Sequence, residues 1–131
     1  MKLKIVSKRD EIPTLNPSEK FVHLGFRPSS IDSINLIRRC PRLRMIQIPP
    51  SYYKTMSNIS QHIFQQQDIV TFEGDVWGYR TDIKDDFIID DAIIEEIRRL
   101  AGCDVSIDDI AGQMKEKIRI GPDLIKYIIE R

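Results

Sequence analysis

Phe21-Val-His-Leu-Gly-Phe-Arg-Pro-Ser-Ser-Ile31 and Leu43-Arg-Met-Ile-Gln-Ile-Pro-Pro-Ser-Tyr-Tyr53 are two copies of one pattern. In each, apolar residues stand at the first, fourth and sixth places, a serine at the ninth, and an apolar or aromatic residue at the eleventh. A looser third copy runs from Gln67 to Trp77, with Val70 and Phe72 as its inner pair and Asp75 in place of the serine. The inner pair advances 22 residues from Leu24 to Ile46 and 24 from Ile46 to Val70. Apolar residues two apart lie on one face of a strand, and the polar residue three places on marks where the strand ends. A repeat of this length holds one strand and one returning helix. The expected fold is therefore α/β: a parallel sheet of about four strands over residues 1–81, with the loops after the strands gathered at one end. Whether the units form a layered sheet or a repeat-like stack is left open by spacing alone, and the strength of the helical patterns favours the layered sheet.

The flanking sequence fills in the elements. Lys2-Leu-Lys-Ile-Val6 alternates like a first strand, and Pro13 and Pro17 limit the next segment to one helical turn. Residues 21–26, 43–48 and 69–72 are the next three strands. Ser29 or Ser30 caps a helix reaching about Cys40, with Ile31, Ile34, Ile37 and Cys40 as its apolar stripe. After Pro49-Pro50, Ser51 opens a single longer helix. Its inward residues are Tyr52, Tyr53, Met56, Ile59 and Ile63, while Lys54, Ser57, Gln61 and His62 face out.

Composition shifts near Tyr79. Residues 82–91 contain five aspartates and read as a connector; they lack calcium-loop spacing, and Asp90 and Asp91 suit a helix start. Residues 82–131 then form a helical segment of three short helices. The first, residues 92–101, ends at Gly102 as a left-handed cap. The second begins at Ser106 with Ile107, Ile110, Ala111 and Met114 inward. The third begins at Gly121-Pro122 with Leu124, Ile125, Ile128 and Ile129 inward.

A chain of 131 residues can close a self-supporting core, and its 41% hydrophobic and 31% charged content excludes disordered and fibrous classes. Cys40 and Cys103 show neither disulfide nor metal spacing, which points to a reducing, cytoplasmic setting. No apolar run approaches the roughly 18 residues of a membrane span. Net charge is zero, but residues 1–54 carry 11 Lys/Arg against 4 Asp/Glu, and residues 55–131 carry 9 against 16. Such asymmetry either marks a basic face for an anionic partner or lets the two halves attract each other.

Several motifs carry resemblances. Asn16-Pro-Ser-Glu-Lys20, His23-Leu-x-Phe-Arg-Pro-Ser29, Glu73-Gly-Asp-Val-Trp-Gly78 and Pro122-Asp-Leu-Ile125 together resemble a small archaeal family, mainly of methanogens, known as a domain of unknown function. The likeness spans nearly the whole chain and implies a cytoplasmic archaeal protein without assigning chemistry. The three-copy pattern is similar to leucine-rich repeats. Pro41-Arg-Leu-Arg-Met-Ile46 is similar to a strand of the substrate half-domain in D-2-hydroxyacid dehydrogenases. That activity needs a Gly-rich nucleotide fingerprint, which is absent here. Ser106-Ile-Asp-Asp-Ile-Ala-Gly-Gln-Met114 followed by Gly121-Pro-Asp-Leu-Ile-Lys-Tyr-Ile-Ile129 resembles a helix-turn-helix, with Ala111 where the helices cross. Its turn exceeds the usual length, and residues 90–131 hold 7 basic against 10 acidic side chains, a poor balance for nucleic acid.

In a parallel sheet, ligands bind beyond the carboxyl ends of the strands. The loops there bring Arg27, Ser29 and Ser30; Ser51, Tyr53 and Lys54; and Glu73, Asp75, Trp77 and Arg80. Two helix starts and three basic side chains suit a small phosphate or carboxylate. The alternative is that the serines only cap helices and the arginines only pair with acids. His23 shares a strand face with Phe21 and Gly25 and reads as a satisfied core histidine; His62 reads as solvated. No P-loop, zinc motif or nucleophile elbow is present, so the expectation is a non-enzymatic binding or regulatory protein without cofactor. Helix-turn-helix DNA binding and a self-associating interaction adaptor are the competing classes.

Overall fold

The computed structural model describes residues 1–76 and 86–131. β1 (Lys2–Val6) is followed by a 3-10 turn (Arg9–Thr14) that contains Pro13. β2 (Phe21–Leu24) leads to α1 (Ser30–Arg39), and β3 (Met45–Ile48) to α2 (Pro50–Lys54) and α3 (Asn58–Gln66), before β4 (Val70–Glu73). These four strands pair in parallel. β5 (Phe87–Ile88) pairs antiparallel with β1, giving the order β4-β3-β2-β1-β5. The fold is thus α/β with a mostly parallel sheet. Its fifth strand arises in the aspartate-rich stretch expected to be only a connector, where Asp86 lies within 3.5 Å of both Lys2 and Lys4.

Both faces of the sheet are covered. Val6, Val22, Leu24, Ile46 and Ile48 cluster with Ile12, Leu15, Leu36, Cys40, Met56 and Phe64 of the crossover segments. On the other face, Leu3, Met45 and Phe72 cluster with Ile97, Ile110, Leu124 and Ile128. These belong to α4 (Asp91–Gly102), α5 (Ile107–Met114) and α6 (Pro122–Glu130). The strand order is sequential, as in a stack of like units, yet the C-terminal helices convert the stack into three layers.

The observed register corrects the motif alignment. Ile46 stands beside Val22 and Thr71, and Ile48 beside Glu73. The third copy is therefore displaced by one residue, which turns Val70 and Phe72 to the opposite face from Ile46 and Ile48. Ile69 takes the crossover side in their place, after a turn in which Asp68 adopts φ 56°.

The helical faces also differ from expectation. On α1 the buried residues are Asp32, Ser33 and Leu36, while Ile31 is 70% exposed. A stripe spaced strictly three apart precesses, so Ile31 and Cys40 fall about 180° apart around the axis. The single long helix after Pro50 is broken at Thr55, because Ser57 caps a new helix by accepting from the backbone N of Ser60 at 3.1 Å. Ile59 is consequently turned outward. At the end of α4 the left-handed residue is Asp104, φ 61°, and not Gly102, which is helical. Asp90 occupies the N-cap of α4 without a side-chain cap bond. On α6, Tyr127 joins the buried stripe and Ile129 is only half-buried.

Candidate functional site

Parallel pairing puts the ends of β2, β3 and β4 at one edge of the sheet, so Ser29, Ser51 and Asp75 follow strands that end side by side. Ser29 caps α1: its hydroxyl accepts from the Asp32 backbone N at 3.1 Å, and the Asp32 carboxylate accepts from the Ser29 backbone N at 2.9 Å. The anion expected at this helix start is thus supplied by the chain itself, in the form of Asp32. Arg9 reinforces it, with Nε 3.5 Å from Asp32 Oδ2 and its guanidinium over the Phe26 ring at 5.7 Å.

The second helix start differs more from expectation. Ser51 lies inside α2, whose N-cap is Pro49 and whose first residue, Pro50, has no N–H to offer. Tyr53 packs against the crossover core. Ser30 is half-buried, Arg27 and Lys54 are exposed, and Glu73 ends β4 beside Ile48. Trp77 and Arg80, along with Tyr79, lie outside the described residues.

Beneath this edge is a buried polar pair that sequence reasoning found only in part. His23 and Gln47 are neighbours across β2 and β3. Gln47 Nε2 is 2.9 Å from His23 Nδ1 and 3.5 Å from the carbonyl O of Asp75. An amide nitrogen donates, so Nδ1 accepts and the ring proton sits on Nε2. Burial holds the His23 imidazole down at about 4, which keeps it neutral. Gln47 Oε1 is buried without a partner among the described residues. The Gly74 backbone lies directly over this amide: a Cβ at Gly74 would stand 2.6 Å from Gln47 Oε1. His23 is the core histidine expected, while Gln47, two positions after Met45 on the same face, is its missing partner. A polar residue alternating with apolar ones inside a buried strand is the signal that would have found it.

The helix-turn-helix segment is placed unusually for a groove reader. α4 and α5 are joined through residues 103–106, and α5 and α6 through residues 115–121. α6 buries Leu124, Ile125, Tyr127 and Ile128. The Tyr127 ring meets Phe21 edge-on at 6.2 Å and Phe72 at 5.9 Å. From the other side, Arg98 Nε donates to the Ile128 carbonyl at 3.3 Å. What α6 leaves exposed is Pro122, Lys126 and Glu130, with Asp123 and Ile129 half-buried. Its first residues meet the sheet's carboxyl edge, since Gly121 lies against the Gly74 backbone.

Among the described residues no group of three or more His, Cys, Asp or Glu is arranged to hold a metal ion. No helix among them is long and apolar enough to cross a membrane. A third feature went unread in the sequence: Arg9, Arg38 and Arg39 line one cleft with Ile12, Pro13 and Asn35. Nothing in the linear pattern joins Arg9 to the end of α1.

Comparison with curated proteins and with solved structures gave no match. The profile of the N-terminal domain of DUF1699, a family of unknown function, matches residues 2–85. The profile of the C-terminal helix-turn-helix domain of DUF1699 matches residues 92–130. The first match covers the four parallel strands with their crossovers and the second the three C-terminal helices, with β5 falling between them, and the chain belongs to DUF1699.

Proposed function

We propose that the protein is a non-enzymatic binding protein for a small anion, and that its helix-turn-helix serves as the second layer of the sheet and not as a reader of duplex DNA. The observation that carries this reading is the burial of α6. A recognition helix must turn a free face to the base edges of the major groove. Here both flanks of α6 are covered, and its outer side offers Lys126 among Asp123 and Glu130. Residues 90–131 are acidic on balance, with 7 basic and 10 acidic side chains, so they repel phosphates more than they neutralise them.

The amino-terminal half supports the anion. Arg27, Arg38 and Lys54 are exposed, with no hydrogen bond or ion pair among the described residues. Guanidinium groups in that state are strong donors for carboxylate or phosphate.

A mobility-shift titration against duplex DNA at low salt, beside a thermal-shift panel of small anions, tests both halves. The expected result is no retarded band and a melting temperature that rises with the concentration of one anion class. The family's description of its C-terminal part favours a second reading, DNA binding, in which contact would come from Lys115, Lys117 and Arg119 between α5 and α6. A retarded band that disappears as salt is raised would put that reading first.

A further inference from the structure

We propose that the cleft between the 3-10 turn Arg9–Thr14 and α1 is the anion site, and that it takes a small organic dianion with an apolar stem. This rests on the anion-binding reading above and gives it a place and a ligand class. The cleft has a volume of about 460 Å³, a size that suits a small metabolite. Its apolar lining is Ile12 and Pro13, and its polar groups are Arg9, Arg38, Arg39 and Asn35.

The three guanidinium groups are not equally committed. Arg9 is held between Asp32 and the Phe26 ring. Arg39 donates through Nε to the Leu15 carbonyl, so its terminal nitrogens are left for a ligand. Arg38 and the Asn35 amide have no hydrogen-bond or ion-pair partner among the described residues. One arginine bonded to a backbone carbonyl, one paired with Asp32 and one free form a partly preorganised receptor, which lowers the side-chain order lost on binding.

The acids nearby do not cancel this charge. Among the described residues Asp32 is the one carboxylate paired with a cleft arginine, and it already accepts from the Ser29 backbone N. Glu11, on the 3-10 turn, accepts from the Ser7 backbone N at 3.2 Å, and Asp10 beside it is exposed. Three positive groups against the shared charge of Asp32 leave an excess that matches a dianion and not a monoanion. Complementing the α1 dipole needs only one basic residue in its last turn, and it gives no reason for Arg9, on another element, to face the same space. A planar fork pairs with carboxylate and phosphomonoester oxygens alike. The shared chemistry is therefore a doubly charged oxyanion ligand whose carbon body lies on Ile12 and Pro13.

Calorimetric titration with adipate, phenyl phosphate and hexanoate, at low and at high salt, tests the assignment. Adipate and hexanoate share a six-carbon chain and differ in charge. At least one of the two dianions should bind tenfold or more tightly than hexanoate, and which one does so separates a dicarboxylate from a phosphomonoester ligand. Arg38→Ala, which breaks no internal contact, should weaken that dianion ten- to hundredfold while leaving the unliganded melting temperature unchanged. Lys126→Ala, on the outer side of α6 and away from both the cleft and the sheet edge, should bind it as the unmodified protein does, and Arg27→Ala serves to separate the cleft from the sheet edge. Equal affinity for hexanoate, or undiminished binding by Arg38→Ala, would overturn the cleft as the site. A dianion lost in Arg27→Ala but kept in Arg38→Ala would move the site to the sheet edge and preserve the anion-binding reading. If no anion binds the unmodified protein, that reading falls as well.

Discussion

The crossover face of the sheet is covered by segments that each return between adjacent strands, whereas the opposite face is covered by helices from the far end of the chain. The crossover helices bury a narrow side: Leu36 of α1 and Phe64 of α3 reach the core, while Ile31 and Ile59 remain 70% and 64% exposed. On the other face α6 is enclosed from two directions, by Phe21 and Phe72 of the sheet and by α4. Local connections thus close one face with helices that bury only a narrow side. A layer without that tether needs a deeper apolar surface to stay docked.

The largest expected effect tests that docking. Tyr127→Ala removes a ring held between two others, so it should cost about 3–5 kcal/mol in urea unfolding, the range for truncating a large buried aromatic. A cost below about 1 kcal/mol would mean that the C-terminal helices do not rely on the sheet, and the contrast between the layers would dissolve.

The next effect concerns the buried pair on that same face. Unfolded His23 takes up a proton below its ordinary value of 6.5, whereas the folded group resists until about 4. The unfolded chain therefore binds more protons across this window. Stability that is fully present above pH 6.5 falls as pH drops towards 4, by up to about 3 kcal/mol. Denaturant titrations from neutral to acidic pH should show the decline, and His23→Gln should flatten it. An unchanged slope in that variant would place the acid sensitivity elsewhere.

Gly74 sharpens the picture at the sheet edge. A methyl group there meets the Gln47 amide, which is fully buried and bonded to His23, so it cannot swing aside freely. Gly74→Ala should destabilise by about 1–3 kcal/mol, as overpacking does. Loss of the helix cap comes next: Ser29→Ala should cost about 1 kcal/mol, measured in the same way, because it removes the bond to the Asp32 backbone and disturbs the box that holds Asp32 near Arg9.

How far this was legible follows from the kind of signal involved. Strand alternation has period two and is local, so four strands and their parallel arrangement could be read from Leu24, Ile46 and their neighbours. Register could not, because Val70 and Ile69 are both apolar and adjacent, and only the turn at Asp68 decides which one faces the crossover helices. Helix faces do not follow from equal spacing alone, because residues three apart drift around the axis, as Ile31 and Cys40 do. For the candidate site, the strand-edge loops were legible because the strands align them. The arginine cleft was not, since Arg9 meets Arg38 and Arg39 only after β1 and β2 pair and α1 folds back over them.

The smallest expected effect returns to the crossover layer. Ile31 and Ile59 point away from the core on neighbouring helices whose starts are joined by Ser60 Oγ, 3.4 Å from the Pro28 carbonyl. Side chains that remain in water in the folded state gain little from folding, so Ile31→Ser and Ile59→Ser should each change stability by no more than about 0.5 kcal/mol. A loss above about 1 kcal/mol, especially one that grows as the protein is diluted, would show that another surface covers these isoleucines. Light scattering on the same samples would then report a mass above that of one chain. The crossover face would prove to be as deeply closed as the other, by contacts between molecules and not within one.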